Sequence, residues 1–132
     1  MSRPPSVHPT ELELEILKII WRDGPRSVRQ VRDALAGFRP LAYTSVMTIM
    51  GIMTDKKYLQ RRKSAGAFVY SARAGEQATR GGMLRDLIDR VFNGSTAAVM
   101  QNLLAEDLGE EELQHLRSLI ERKAAEERER GK

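Results

Sequence analysis

The stretch of residues 41–55 constrains the fold most strongly, because it predicts a helix with two chemically different faces. At about 100° per residue its larger apolar side chains gather on one face, which is expected to be buried. The opposite face is small and uncharged until Asp55, which suits a helix pressed against a flat or grooved partner. The expected inner set is Tyr43, Val46, Ile49, Met50 and Met53, and the outer set is Thr44, Met47, Thr48, Gly51 and Asp55.

A basic segment that predicts a β-hairpin follows this helix. Residues 58–63 and 68–70 contain aromatic and β-branched side chains, and a glycine-containing turn at residues 64–67 separates them. We expect Arg61, Arg62 and Lys63 to lie where the hairpin turns.

Two helices, the second of them short, are predicted before residue 41. Thr10-x-x-Glu13 and Ser27-x-x-Gln30 are capping boxes, in which a hydroxyl and a side-chain oxygen each accept from an otherwise unpaired backbone N–H. Residues 23–25 end the first helix, and residues 37–40 end the second. The order helix, helix, helix, hairpin is that of a winged helix, a relative of the helix-turn-helix DNA-binding proteins, with the third helix as its recognition element.

The remainder of the chain predicts three amphipathic helices. Glycines in residues 71–82 mark a hinge or boundary, although a helix could start near Glu76. Later signals are a stop at residues 93–94, a cap at Ser95 and acidic residues at 110–112, and the tail from residue 124 is expected to fray. The fold class is therefore mainly α with a small hairpin, divided into a flexible arm (1–9), a winged-helix domain (10–75) and a helical dimerisation region (76–132).

Apolar faces on these C-terminal helices predict a homodimer. Burying one large aliphatic side chain is worth roughly 1.5–3 kcal/mol, so leaving such faces in water would be costly. The alternative is that they pack onto the N-terminal domain of the same chain. The expected dimerisation residues are Leu84, Leu87, Ile88, Val91, Leu103, Leu104, Leu113, Leu116 and Ile120.

The charge distribution favours a polyanionic partner. Residues 1–75 contain 13 Lys and Arg against 6 Asp and Glu, a net +7, whereas residues 76–132 contain 9 against 12, a net −3. The alternative is a solvated basic surface without a partner. Hydroxyl and apolar groups can contact base edges, and cations can contact phosphates. The candidate DNA-binding residues are Arg39, Tyr43, Thr44, Ser45, Met47, Thr48, Arg61, Arg62 and Lys63, although the rings of Tyr43 and Tyr70 are expected to serve packing.

Nothing in the sequence predicts an enzyme. The chain has no cysteine, its two histidines are His8 and His115, and no nucleophile, metal-protease or phosphate-loop motif is present. We expect no cofactor and no metal. Because no apolar run has the length of a signal peptide or a membrane span, we also expect a cytoplasmic protein without membrane insertion.

Four segments resemble the bacterial penicillinase-repressor family of the BlaI/MecI/CopY type: residues 13–21, 27–31, 40–50 and 68–70. The resemblance extends over roughly residues 10–120, and residues 42–48 (Ala-Tyr-Thr-Ser-Val-Met-Thr) are its most specific motif. It implies a homodimeric winged-helix repressor on a palindromic operator, with a C-terminal helical dimerisation region. The third helix would enter the major groove through Thr44, Ser45, Met47 and Thr48, and the wing would be residues 61–68.

This chain also departs from the family. Where members often have Arg-Leu and Lys-Gly late in the recognition helix, it has Ile52-Met53 and Lys56-Lys57, so phosphate contacts there are expected to differ. Without cysteine, induction through the cysteine cluster of the copper-sensing branch is excluded. The antibiotic-resistance branch is cleaved at an Asn-Phe bond through a membrane sensor protease pathway, and the nearest match is Gln101-Asn102-Leu103, so proteolytic induction is a hypothesis. The competing function is a winged-helix protein–protein adaptor without specific DNA binding, which the basic hairpin disfavours.

Overall fold

The computed structural model describes residues 8–131, and the chain divides into two compact units between Asp86 and Leu87. The predicted fold class, mainly α with a two-stranded antiparallel hairpin, is confirmed. Most of the predicted flexible arm, residues 1–7, lies outside the described residues. The elements in order are α1 (Glu11–Asp23), α2 (Val28–Leu35), α3 (Tyr43–Asp55), β1 (Leu59–Ser64), β2 (Ala67–Ala72), α4 (Glu76–Val91), α5 (Thr96–Leu104) and α6 (Glu110–Arg130).

Both predicted capping boxes are present at the starts of α1 and α2. The Thr10 hydroxyl accepts from the backbone N–H of Glu13 at 3.2 Å, and the Glu13 carboxylate accepts from that of Thr10 at 2.9 Å. Ser27 and Gln30 make the same reciprocal bonds at 3.2 and 2.9 Å. These bonds satisfy N–H groups that have no partner inside the helix, and they fix where each helix begins.

Helix α1 ends where the sequence predicts. Gly24 has φ 82°, a left-handed conformation that glycine adopts without steric cost, and its N–H donates to the Ile20 carbonyl at 2.8 Å. Just before it, two hydrogen bonds from the Arg22 guanidinium hold the pKa of the half-buried Asp23 below its ordinary value.

One core joins the first three helices to the hairpin. In α3 the inward residues Val46, Met50 and Met53 are completely buried, as predicted. Tyr43 was predicted to join them, and this is wrong: its side chain is 42% exposed. Tyr43 opens the helix and lies one turn ahead of the first core residue, so its ring extends past the core. The core consists of Ile16, Leu17, Ile19, Ile20, Val28, Val31, Leu35, Val46, Met50, Met53, Leu59 and Tyr70.

The hairpin has a tighter turn than the sequence suggested. Strand pairing runs from Leu59 opposite Ala72 to Ser64 opposite Ala67, so only Ala65 and Gly66 form the turn. Both have positive φ, 50° and 82°, as a type I′ turn requires. The prediction that residues 61–63 lie at the turn is therefore wrong: these three basic residues lie inside β1, because the strand continues to Ser64.

Long-range bonds fix the hairpin against the helices. Arg26 in the α1–α2 connection pairs with Tyr70 of β2 through two backbone hydrogen bonds of 2.8 and 3.0 Å. The Trp21 indole N–H donates to the Ala74 carbonyl at 2.8 Å, just after β2. Residues 10–74 therefore form the predicted winged-helix arrangement, with α3 as its third helix.

The C-terminal part differs from the prediction at two places. Gly81 and Gly82 lie inside α4, so they do not form a hinge, and the helix starts at Glu76, directly after the predicted boundary at residue 75. Helix α6 continues to Arg130, so the predicted fraying from residue 124 is wrong for the described residues. Ion pairs of Glu127 with Lys123 and Arg130, at 3.1 and 3.6 Å, replace the missing apolar stripe. The predicted domain limits remain predictions.

The helix boundaries in this part follow the predicted signals. Asn93 and Gly94 end α4 in left-handed conformations, with φ 51° and 80°. The Ser95 hydroxyl accepts from the backbone N–H of Ala98 at 3.1 Å and caps α5.

Candidate nucleic-acid interface

The outer face of α3 is open to solvent and uncharged along most of its length. Thr44, Ser45, Met47 and Thr48 are all exposed, Met47 by 45%. The Thr48 hydroxyl donates to the Thr44 carbonyl at 3.0 Å, and its oxygen is left to accept from another group. The helix therefore presents hydroxyl and apolar atoms, which are groups that can contact base edges.

A groove of about 610 Å³ lies beside this face, between the start of α2, the first turns of α3 and the hairpin. It brings together three of the predicted DNA-binding residues, Tyr43, Met47 and Arg61. The other predicted residues do not line it. The lining consists of Ser27, Val28, Arg29, Tyr43, Met47, Arg61, Gly66, Ala67, Phe68 and Tyr70, so it contains two arginines and no acidic residue.

Strand alternation places the three basic residues of β1 on different faces. Arg61 and Lys63 lie opposite Tyr70 and Phe68, on the same face as the core residues of the hairpin. Arg62 lies opposite Val69 on the other face. The Arg61 guanidinium carbon is 4.4 Å from the centroid of the Phe68 ring, within the range of a cation–π contact.

None of these three cations has an ion-pair partner within residues 8–131. The hairpin therefore carries positive charge that its own unit does not neutralise.

Arg39 lies apart from the groove. It is exposed in the α2–α3 connection and shares a smaller surface depression, of about 220 Å³, with Glu11, Leu12 and Phe38. If Arg39 contacts DNA as predicted, it does so from outside the groove.

Sequence reasoning missed Arg29 and Ser27, which line the groove from α2. Arg29 is in the first turn of its helix, where the helix dipole disfavours a positive charge. This unfavourable placement of a positive charge could have marked Arg29 in the sequence, because residues that violate a local structural preference are often functional. Phe68 could be associated with Arg61 only once the strand register was known.

The predicted dimerisation residues are mostly exposed in the single chain. Ile88 is the exception: it is 7% exposed, so its side chain is already buried and is not available to a partner. Leu116 is half-buried. Between α5 and α6 an apolar groove of about 360 Å³ includes Met100, Leu104, Leu113, Leu116 and Ile120. The exposed members of the set are Leu84, Leu87, Val91, Leu103, Leu104, Leu113 and Ile120.

The candidate cleavage site, Gln101-Asn102-Leu103, lies inside α5. All three side chains are exposed, and the Asn102 amide donates to the Ala98 carbonyl at 3.0 Å. Because proteases bind their substrates in an extended conformation, the last turn of α5 would have to unfold before cleavage.

The described residues contain neither a candidate metal site nor a candidate membrane-spanning helix. Among the described residues no group of three or more His, Cys, Asp or Glu side chains is placed to hold a metal ion. No helix in residues 8–131 has both the length and the apolar character that crossing a membrane demands.

The three helices and the antiparallel hairpin define the class: this is a winged-helix protein. The sequence model of one family, described as penicillinase repressor, matches residues 9–122. The chain belongs to the penicillinase repressor family, whose members are transcriptional repressors and not enzymes.

Individual relatives align over most of their length. The transcriptional regulator BlaI of Mycobacterium tuberculosis is 30% identical over 112 residues, which are 83% of this chain and 80% of that protein. The penicillinase repressor of Bacillus licheniformis is 24% identical over 113 residues, 85% and 88% of the two chains. The methicillin resistance regulatory protein MecI of Mammaliicoccus sciuri is 22% identical, over 84% and 91%. Among solved structures, the transcriptional regulator Tm0710 from Thermotoga maritima aligns with a TM-score of 0.47 and 21% identity, over 93% of this chain and 80% of that one.

Proposed function

We propose that this protein is a cytoplasmic, homodimeric repressor that occupies a palindromic DNA operator. Each subunit places α3 in the major groove of one half-site, and the hairpin binds the phosphate backbone as a wing. The observation that carries this proposal is the exposed, uncharged outer face of α3 beside a groove lined by Arg29 and Arg61.

Base recognition is assigned to the outer face of α3. A threonine or serine hydroxyl can donate to or accept from a base edge, and the Met47 side chain can pack against a thymine methyl group. Thr44, Ser45 and Thr48 are exposed and supply the hydroxyls. Because the helix contains Asp55 as its one charged residue, its contribution is recognition of sequence rather than electrostatic attraction.

Electrostatic attraction is assigned to the hairpin and the start of α2. Arg29, Arg61, Arg62 and Lys63 are exposed, and phosphate binding would release counterions condensed on the duplex. Such contacts set the position of the protein on DNA without reading its sequence.

Dimerisation is supported by the exposed leucine, isoleucine and valine side chains of α4, α5 and α6. A second subunit would cover these apolar atoms, and it would bring a second α3 to a two-fold related half-site. Binding of the second half-site is then intramolecular, which raises the overall affinity above that of a single subunit.

The test is a binding titration of fluorescently labelled duplex from the region upstream of the chain's own gene, repeated at several salt concentrations. We expect a footprint with two-fold symmetry and an affinity that falls linearly with salt on logarithmic axes. A scrambled duplex of equal length is the control. If both duplexes bind equally or not at all, the repressor proposal fails, and the adaptor alternative becomes the better account.

Relief of repression by cleavage at Gln101-Asn102-Leu103 is a second part of the proposal. The position near the end of α5 supports it, because the ends of helices unfold at low free-energy cost. Incubating the protein with the protease that a membrane sensor activates should release two fragments that separate between residues 101 and 103. An intact chain after that incubation would remove this part of the proposal and leave the operator binding unaffected.

A further inference from the structure

We propose that Phe68 is a positioning residue: it holds the Arg61 guanidinium in the groove, so that Arg61, and not Arg62, is the main phosphate-binding cation of the wing. Arg29 binds the same phosphodiester strand from the opposite wall of the groove. This inference rests on the proposed DNA binding and assigns that binding to particular residues of the groove.

The strand register places Arg61 and Arg62 on opposite faces of the hairpin. Arg61 lies opposite the buried Tyr70, so its side chain leaves the sheet on the face that meets the helices. Arg62, the next residue, leaves on the other face and does not line the groove. The side chains of Arg61 and Arg62 therefore leave opposite faces of the hairpin. A nucleic-acid strand in the groove contacts Arg61 and not Arg62.

The Phe68 ring contacts the Arg61 guanidinium. It is 44% exposed, and it lies 4.4 Å from the Arg61 guanidinium carbon. An arginine stacked on an aromatic face keeps its N–H groups free at the edge of the plane, where they can bond to phosphate oxygens. Stacking also restricts a flexible side chain before binding, so less conformational entropy is lost when the phosphate arrives.

The groove has arginines on two of its walls. Arg29 and the Ser27 hydroxyl line it from α2, Arg61 lines it from β1, and no acidic residue is among its lining residues. Backbone N–H groups at the start of α2 add partial positive charge. Cations on two walls around a floor of apolar and hydroxyl groups suit a phosphodiester strand, because the charged oxygens meet the arginines and the sugars meet the apolar surface.

A double-mutant cycle tests this assignment. The variants are Arg61→Met, Phe68→Leu and the two combined, with Arg62→Met as the comparator that removes the same charge from the other face. The probe is a duplex selected from a random pool by the unmodified protein, and each affinity is measured across a salt series. Circular dichroism and urea denaturation check that each variant is folded, which is expected because both side chains are exposed.

We expect Arg61→Met to weaken binding by about tenfold or more and to reduce the salt slope by about one, whereas Arg62→Met weakens binding by about threefold or less. Phe68→Leu should weaken binding in the unmodified chain but have no further effect once Arg61 is replaced. Phe68→Tyr, which retains the aromatic face, should restore the affinity.

Two results would overturn the inference: equal losses for Arg61→Met and Arg62→Met, or a Phe68→Leu effect that persists in the Arg61→Met background. Replacing Arg29 with Met must also lower the affinity and the salt slope, and an unchanged slope would remove it from the site. These failures differ from failure of the proposed function, since in that case no duplex is selected by the unmodified protein.

Discussion

At the scale of single residues, Glu13 links the start of α1 to the end of α3. One carboxylate oxygen accepts from the Thr10 backbone N–H at 2.9 Å, and the other is 2.9 Å from the ammonium nitrogen of Lys56. The Glu13 side chain is buried, so removal of either partner leaves a polar group poorly satisfied. Because Lys56 directly follows α3, this ion pair joins the end of α3 to the first turn of α1.

Replacing Glu13 with Ala should lower the free energy of unfolding by about 2 kcal/mol, because the cap and the ion pair are both lost. Glu13→Gln keeps an oxygen that can accept from Thr10 and should cost less. The comparator is Glu15→Ala, which removes a solvent-accessible pair with Lys18 and should change stability by about 0.5 kcal/mol or less. Urea denaturation measures all three. Equal losses for Glu13→Gln and Glu13→Ala would show that the ion pair, not the cap, carries the effect.

Thr48 provides the second prediction at this scale. Thr48→Glu places a carboxylate on the exposed face assigned to base contact, and repulsion from phosphates should weaken operator binding by more than about tenfold. The variant should remain folded and dimeric, since the side chain lies outside the core and outside the C-terminal helices. Gln77→Glu adds the same charge on an exposed position of α4 and should have a much smaller effect. Retained affinity in Thr48→Glu would show that the recognition face lies elsewhere.

At the scale of secondary-structure elements, the hairpin turn contains a strained backbone conformation at Ala65, which a different residue would relieve. Ala65 has φ 50°, a conformation that costs free energy for a residue with a Cβ atom, whereas asparagine tolerates it well. Ala65→Asn should therefore stabilise the protein by about 0.5–1 kcal/mol, and Ala65→Val should destabilise it. Thermal unfolding followed by circular dichroism gives the order of the midpoints. A lower midpoint for Ala65→Asn than for the unmodified chain would contradict the assigned turn type.

Most of the elements were predictable because their signals are local. The capping boxes at Thr10 and Ser27 located the first residues of α1 and α2, and the left-handed stop at Asn93-Gly94 located the end of α4. Each signal satisfies or terminates a backbone hydrogen bond within a few residues, so no tertiary contact is needed to interpret it.

The remaining features depend on contacts between distant segments. The burial predicted for Tyr43 was wrong because a helical-wheel argument does not indicate where along the axis the core begins. The basic residues of β1 were misplaced because the register is set by the pairing of both strands and by a two-residue turn. The groove combines residues from α2, α3 and the hairpin, so the proximity of Arg29 to Arg61 could not be predicted from neighbouring residues.

At the scale of the whole molecule, charged and apolar surfaces are separated along the chain. Net positive charge is concentrated in residues 1–75, and exposed leucine and isoleucine side chains are concentrated in the C-terminal helices. This separation is the expected result if one part binds a polyanion and the other binds a second copy of the chain.

Introducing charge into the apolar groove between α5 and α6 should separate the subunits. With Leu104→Glu and Ile120→Glu combined, light scattering should report single chains at micromolar concentration, and operator affinity should fall because the two half-sites are no longer bound intramolecularly. Arg122→Glu, on the exposed surface of α6, is the matched control and should remain dimeric. If the unmodified protein itself scatters as a single chain, the dimer proposal is wrong.

Helix α3 contains no lysine or arginine, and the cations that surround the groove come from other elements. Under the proposed function, sequence preference and general attraction to nucleic acid are then encoded by different parts of the gene. Substitutions on the outer face of α3 can redirect such a regulator to new promoters during evolution. The arginines of α2 and the wing meanwhile maintain its sequence-independent affinity for any duplex.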